Sequence, residues 1–212
     1  MGGRSGGGAS GGMGSGSRGG ALSAQQREFL DTTMLLSPNL QYKADLVGIK
    51  GYKGVTDEKV AAELQEGIKM YAKEIGLAEP TRISLETLPK GRRGVSYGNG
   101  TIALSMNYFG GSYAKTVKGA TDYMKSGGSV ETSRPVMKTL HHELGHRTYD
   151  YLSSGQKTKV DAIFRKFSSK STPKGWGSHA KQNASEFFAE GIAKSLTGKS
   201  DSYTKALRKL LK

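Results

Sequence analysis

His142-Glu143-Leu144-Gly145-His146 sets two imidazoles four residues apart with a carboxylate beside the first. On a helix these positions share a face, so the pair offers two corners of a metal site, and Glu143 becomes a base within reach of a metal-bound water. The chain holds four histidines, His141, His142, His146 and His179, so imidazole is concentrated in this one run. Two corners do not make a catalytic site. Zinc in an enzyme takes three protein ligands and keeps the fourth position for water. The chain has no cysteine, which removes thiolate ligands, a cysteine nucleophile and disulfides together. No histidine follows closely after His146, which argues against a three-histidine set. A carboxylate from a downstream helix is the remaining option. In Asn183-Ala184-Ser185-Glu186-Phe187-Phe188-Ala189-Glu190, two glutamates lie one turn apart on a helix whose Phe187, Phe188 and Ile192 read as core. One can bind the metal while the other orients a ligand. Asp150, one turn beyond His146, is a further candidate for orienting an imidazole, set against an ordinary solvated or capping role. His141 has Gly145 four residues on and reads as a neighbour of the site, on the surface or behind a ligand.

Together, the HELGH run and the NASEFFAE run some forty residues later resemble the catalytic domain of anthrax lethal factor and the related Pro-Pro endopeptidases, zinc metalloproteases with a glutamate ligand. The resemblance spans roughly residues 81–196, is strongest at the two runs and is absent from the N-terminal tail. It implies Zn2+ held by His142, His146 and Glu186, with Glu190 in support. It implies Glu143 as general base in the hydrolysis of a peptide bond. Those proteins carry a tyrosine seven residues before the glutamate ligand that stabilises the transition state. Here the matching residue is His179, a departure, although an imidazole can also donate to an oxyanion. The resemblance further implies an α+β, zincin-like domain in which Thr101, Ile102, Ala103, Leu104 and Ser105 form an edge strand that aligns an extended peptide. Trp176, between two glycines just before His179, suits packing and cleft lining equally.

The elements that must position these residues are legible from periodicity. Pro135 suits a first helical turn, and Met137, Leu140, Leu144 and Tyr151 form an apolar stripe that carries His142 and His146 on its flank. Thr56-Asp57-Glu58-Lys59 starts a helix in which Val60, Leu64, Ile68, Tyr71 and Ile75 repeat at helical spacing until Gly76. Ile83 and Leu85 alternate as in a strand. Residues 95–97 and 101–106 flank Gly98-Asn99-Gly100, a tight-hairpin signal. Further helices are expected over 21–36, 157–169, 182–196 and 202–211. Residues 40–55 fit a strand or a loop. Between Gly110 and Ser133 the chain is polar and glycine-punctuated, either a binding loop or a short helix plus loop. The expected class is α+β: a small, mainly antiparallel sheet packed on the histidine helix, with a helical C-terminal half. Residues 1–20, nearly all Gly, Ser and Ala, read as a flexible tail, and 21–212 as one domain, its sheet-containing half over about 40–133 and its helical half over 134–212.

The 212 residues carry 32 Lys+Arg against 18 Asp+Glu, a net charge of +14 that favours acidic partners. From Lys157 to Lys212 there are thirteen basic and four acidic residues. A packed terminal helix with a solvated basic face is the plain reading of that excess, and a nucleic-acid or membrane patch is the functional one. No apolar run approaches the roughly 18 residues of a membrane span, and no hydrophobic leader of the secretory kind is seen. The expected partner is a protein or peptide substrate. Two readings from other classes stand beside it: a catalytically silent, zinc-containing structural protein, such as a phage particle component, and a basic accessory protein that binds nucleic acid. Oligomeric state, compartment and scissile bond are left open.

Overall fold

The computed structural model describes residues 57–76, 82–97 and 101–212; the tail over 1–20, the helix expected over 21–36 and the segment 40–55 lie outside these. Asp57 caps the first described helix, α1 (Glu58–Glu74), by accepting from the Lys59 amide, and a second oxygen accepts from Tyr113 N at 2.7 Å. Its inner face carries Val60, Leu64, Ile68 and Tyr71, all fully buried, which is the helical stripe read in the sequence.

Three short strands follow: β1 (Arg82–Glu86), β2 (Gly94–Ser96) and β3 (Thr101–Ser105). Their order is β1-β3-β2, with β3 central. The β2–β3 ladder is antiparallel, as the hairpin signal predicts, and Tyr97 N donates to Thr101 O across the start of the turn. The turn residues 98–100 lie outside the described set. The expectation of a mainly antiparallel sheet does not extend to β1, which pairs with β3 in parallel from Arg82↔Thr101 to Glu86↔Ser105. Paired on both sides, β3 is buried from Ile102 onward, apolar through Leu104 and ending in the buried hydroxyl of Ser105.

A one-turn helix, α2 (Met106–Phe109), follows β3 directly, and the segment from Gly110 to Ser133 forms a helix plus loop, with α3 (Tyr113–Lys125) capped by Ser112. The histidine helix, α4 (Pro135–Tyr151), begins with proline in its first turn. Its N-cap, Arg134, provides no side-chain cap, and the buried carboxylate of Glu63 on α1 accepts from Met137 N at 3.2 Å instead. An acid at that end also complements the helix dipole. Met137, Leu140 and Leu144 are buried as expected. Tyr151 is not: it is 52% exposed, with the Arg147 guanidinium 4.1 Å from its ring centroid. The stripe ends one turn early because the helix terminates there, with Leu152 rather than Tyr151 turned into the core.

Helix α5 (Ser154–Ser168) starts three residues before the periodicity suggests, since Ser153 and Gln156 form a capping box. A 3₁₀ turn (Ser178–Lys181) leads to α6 (Ala184–Thr197) and then α7 (Ser202–Lys209), capped by Asp201. One hydrophobic core runs from α1 through β3 and α4 to α6 and α7. Among the described residues no helix is long and apolar enough to cross a membrane.

Candidate metal centre

Helices α4 and α6 cross where HELGH and NASEFFAE meet. The glycine of the first run permits it: a Cβ on Gly145 would lie 2.8 Å from Ala189 Cα, closer than side chains tolerate. At the start of α6, Asn183 Oδ1 accepts from Glu186 N at 2.9 Å, so the capping residue fixes the turn that carries the glutamate.

His142 Nε2 and His146 Nε2 lie 3.1 Å apart, and Glu186 Oε2 is 3.3 Å from the first and 3.2 Å from the second. Ligands bonded at about 2.0 to 2.1 Å in a tetrahedral site are about 3.3 Å apart, so this near-equilateral triangle has the edge of a zinc face. His179 Nε2 approaches the same oxygen at 2.8 Å. His142, His179 and Glu186 are close enough to hold a metal ion. Although three imidazole nitrogens surround Glu186 Oε2, this buried oxygen has no aligned hydrogen-bond donor. A cation at the shared centre satisfies it, and the donor set of imidazole and carboxylate suits zinc.

The surrounding contacts hold each candidate ligand. Glu190, buried, accepts from Val130 N at 3.0 Å through Oε2, while its Oε1 meets Lys138 Nζ at 2.5 Å and His142 Nδ1 at 2.9 Å. The His142 contact is close but off the ring N–H direction, as that nitrogen has no aligned partner. Burial lowers the proton affinity of His142, but Glu186 and Glu190 outweigh it and raise its pKa to about 9. The same carboxylates that favour a proton there favour a metal cation. Burial acts to raise the pKa of Glu186, and contact with three imidazoles overrides it, holding the carboxyl well below the usual range.

His146 Nδ1 meets Ser185 Oγ at 2.9 Å. The partner of this imidazole is Ser185; Asp150, one turn beyond it, is exposed and lines the same cleft. Ser185 precedes Glu186, and its only signal in the sequence is its place in the first turn of α6. His179 is held by a short ladder between loops: Ser178 N donates to Gly127 O and His179 N to Gly128 O. Its Nδ1 is 3.1 Å from Tyr123 Oη, a partner delivered from α3 that no spacing could announce.

Glu143 is buried on the cleft side of α4, where burial raises its pKa against the lowering effect of His142 and His146. Its carboxylate packs on the backbone of Gly94 in β2. A cleft of about 820 Å³ opens over the site, with Gly94, Val95, Ser96, Tyr123 and His179 among its walls and Pro135, Thr139 and Asp150 along α4.

Several expected residues lie elsewhere. Thr101, Ile102, Ala103, Leu104 and Ser105 do not line the cleft, because β3 is the central strand and is covered on both edges; β2 is the strand that borders it. Trp176 is a packing residue. It stacks on Phe187 at 5.4 Å with an 18° interplanar angle, tilts against Phe167, and donates Nε1–H to Asp201 Oδ2. His141 is neither ligand nor surface residue: it is fully buried against α1 with Nε2 2.8 Å from Gly67 O. Burial, partly opposed by that carbonyl, lowers its pKa to about 4 and keeps it neutral. In the basic C-terminal helix, Thr204 and Leu207 are buried and Arg208 is tied to Glu74, so α7 is packed on the domain.

No protein-family model, curated protein or solved structure matches this chain.

Proposed function

We propose that the protein is a zinc-dependent endopeptidase of the glutamate-ligand type, with a zincin-like arrangement of sheet, histidine helix and glutamate helix. The observation that carries this reading is the triangle of His142 Nε2, His146 Nε2 and Glu186 Oε2 at tetrahedral spacing, set beside a buried carboxylate at the floor of an open cleft. The resemblance of both motif runs to the lethal-factor and Pro-Pro endopeptidase group supports the same reading.

Zinc held by these three residues would lower the pKa of a bound water towards neutrality and polarise a substrate carbonyl. Glu143 accepts a proton from the attacking water, and its burial raises its proton affinity for that role. It then gives the proton to the amide nitrogen as the C–N bond breaks, leaving the water oxygen in the new carboxyl group. His179, with Tyr123 Oη 3.1 Å from Nδ1 and its Nε2 facing the metal centre 2.8 Å from Glu186 Oε2, would offer Nε2–H to an oxygen on which charge develops there. The β2 segment, an edge strand among the described residues, presents backbone groups on which an extended peptide can pair.

A mixed peptide library, incubated with zinc-loaded, chelator-treated and zinc-restored protein and read by mass spectrometry, tests this directly. Internal cleavages should be present, absent and restored in that order. Absence of cleavage by the zinc-loaded protein contradicts the proposal.

One observation favours a second reading. His179 Nε2 lies 2.8 Å from the ligand oxygen, close enough to fill the fourth coordination position and close the site. A four-ligand zinc is a structural one, as in a silent particle component. Zinc that stabilises the fold but supports no cleavage, and that is released when His179 is replaced by alanine, favours this alternative.

A further inference from the structure

The cleft is unlike at its two ends. Near its middle every carboxylate is engaged, Glu186 at the metal centre, Glu190 on Lys138 and Glu143 against Gly94. At the C-terminal end of α4 stands the exposed Asp150. At the opposite end stands Arg93, which lines the cleft and a small recess shared with Pro135, Val136 and Thr139.

Arg93 is fixed in three ways. Its carbonyl accepts from Ser105 N, which ties the backbone to β3. Its guanidinium lies 4.9 Å from the ring centroid of Tyr108 and 4.8 Å from that of Tyr123. One nitrogen, Nη2, donates to Gly119 O. A guanidinium has five N–H donors in a planar fork, so this one is pre-positioned with donors to spare. Among the described residues no carboxylate makes a direct ion pair with it; Asp122 on α3 is bonded to Lys118, which lowers its carboxyl pKa, the Arg93 charge helping. Such a fork matches a carboxylate, and the net charge of +14 attracts acidic chains to the molecule.

We infer that Arg93 is a specificity residue and that the substrates are acidic peptides, with an Asp or Glu side chain seated on its guanidinium. This rests on the peptidase reading above. The Arg93 guanidinium lies 4.8 Å from the ring centroid of Tyr123, whose Oη is 3.1 Å from His179 Nδ1, so the seat for the acidic side chain is connected to the metal centre through a single side chain.

The test separates binding from catalysis. Zinc-loaded Glu143→Gln protein, immobilised, is used to capture peptides from a random decapeptide mixture, with mass spectrometry as the readout. Asp and Glu should be enriched about tenfold over Asn and Gln, the size of one charge-assisted contact. The enrichment should vanish in the additional Arg93→Gln variant and persist in Lys166→Gln, which removes one exposed charge from α5 far from the cleft. A merely structural role for Arg93 lowers capture of all peptides together and leaves the ratio unchanged. No acidic enrichment, or enrichment equally reduced by Lys166→Gln, overturns the inference. Cleavage of the same mixture by the unsubstituted protein is scored separately. If acidic peptides are captured and none is cut, the peptidase reading falls and the acidic site stands; if peptides are cut without acidic preference, the reverse holds.

Discussion

Gly94 and Glu143 touch across the cleft: a Cβ built on Gly94 would lie 2.6 Å from Glu143 Cγ and 2.7 Å from its Oε1. The absent side chain of β2 is thus the space in which the Glu143 carboxylate sits. Gly94→Ala must push the carboxylate aside, since no Cβ tolerates such a separation. The expected result is a loss of about 100-fold in kcat/KM on a cleaved library peptide, the usual cost of misplacing a reacting group by an ångström. Zinc content, measured by metal analysis, should stay at one per chain.

Gly145→Ala acts on the metal centre. Its Cβ would meet Ala189 Cα at 2.8 Å, wedging α4 from α6 and so separating the histidines from Glu186. Overpacking of this kind costs about 1 to 3 kcal/mol. Thermal unfolding should show that loss, and zinc affinity should drop in the same variant because the two helices supply different ligands.

Glu190→Gln leaves Lys138 buried without its counter-charge. The ammonium is 2.5 Å from Glu190 Oε1, with side-chain exposures of 11% and 1%. Breaking a buried pair on one side costs about 3 to 5 kcal/mol. Loss of the carboxylate behind His142 should also weaken zinc binding by about 10 to 100-fold. Denaturant unfolding and competitive zinc titration check the two effects. The conservative shape of glutamine separates charge loss from a packing defect.

How much of this was legible in the sequence depends on whether a residue's role is set within its own element. His142 and His146 share a helix face, so local spacing sufficed to nominate both; spacing also set Glu186 and Glu190 one turn apart behind the Asn183 cap, and the family resemblance, not spacing, chose Glu186 between them. Ser185 and Tyr123 escape because their roles exist only once α6 and α3 meet the site from other directions. The strand that borders the cleft escapes for a related reason. Apolar alternation in Thr101–Ser105 announces a strand, yet whether it lies at an edge depends on the distant pairing with β1. Trp176 between glycines has a local pattern compatible with either role; burial against Phe167 and Phe187 decides for the core.

His179→Ala distinguishes an open site from a closed one. With three ligands intact, zinc should remain bound at one per chain while kcat falls about 100 to 1,000-fold through the loss of an oxyanion donor. His146→Ala, which removes a corner of the triangle, should instead lose the metal. Metal analysis after dialysis, together with kcat on one peptide, reads both variants.

The most direct measurement is peptide cleavage by Glu143→Gln beside the unsubstituted protein, each carrying one zinc by metal analysis. Glutamine keeps the shape against Gly94 but accepts no proton, so cleavage should fall by at least about 100-fold, within the range general-base catalysis contributes, while zinc content and thermal stability hold. Equal cleavage by the two zinc-loaded proteins contradicts the assignment of Glu143 as the base on which the proposed hydrolysis depends.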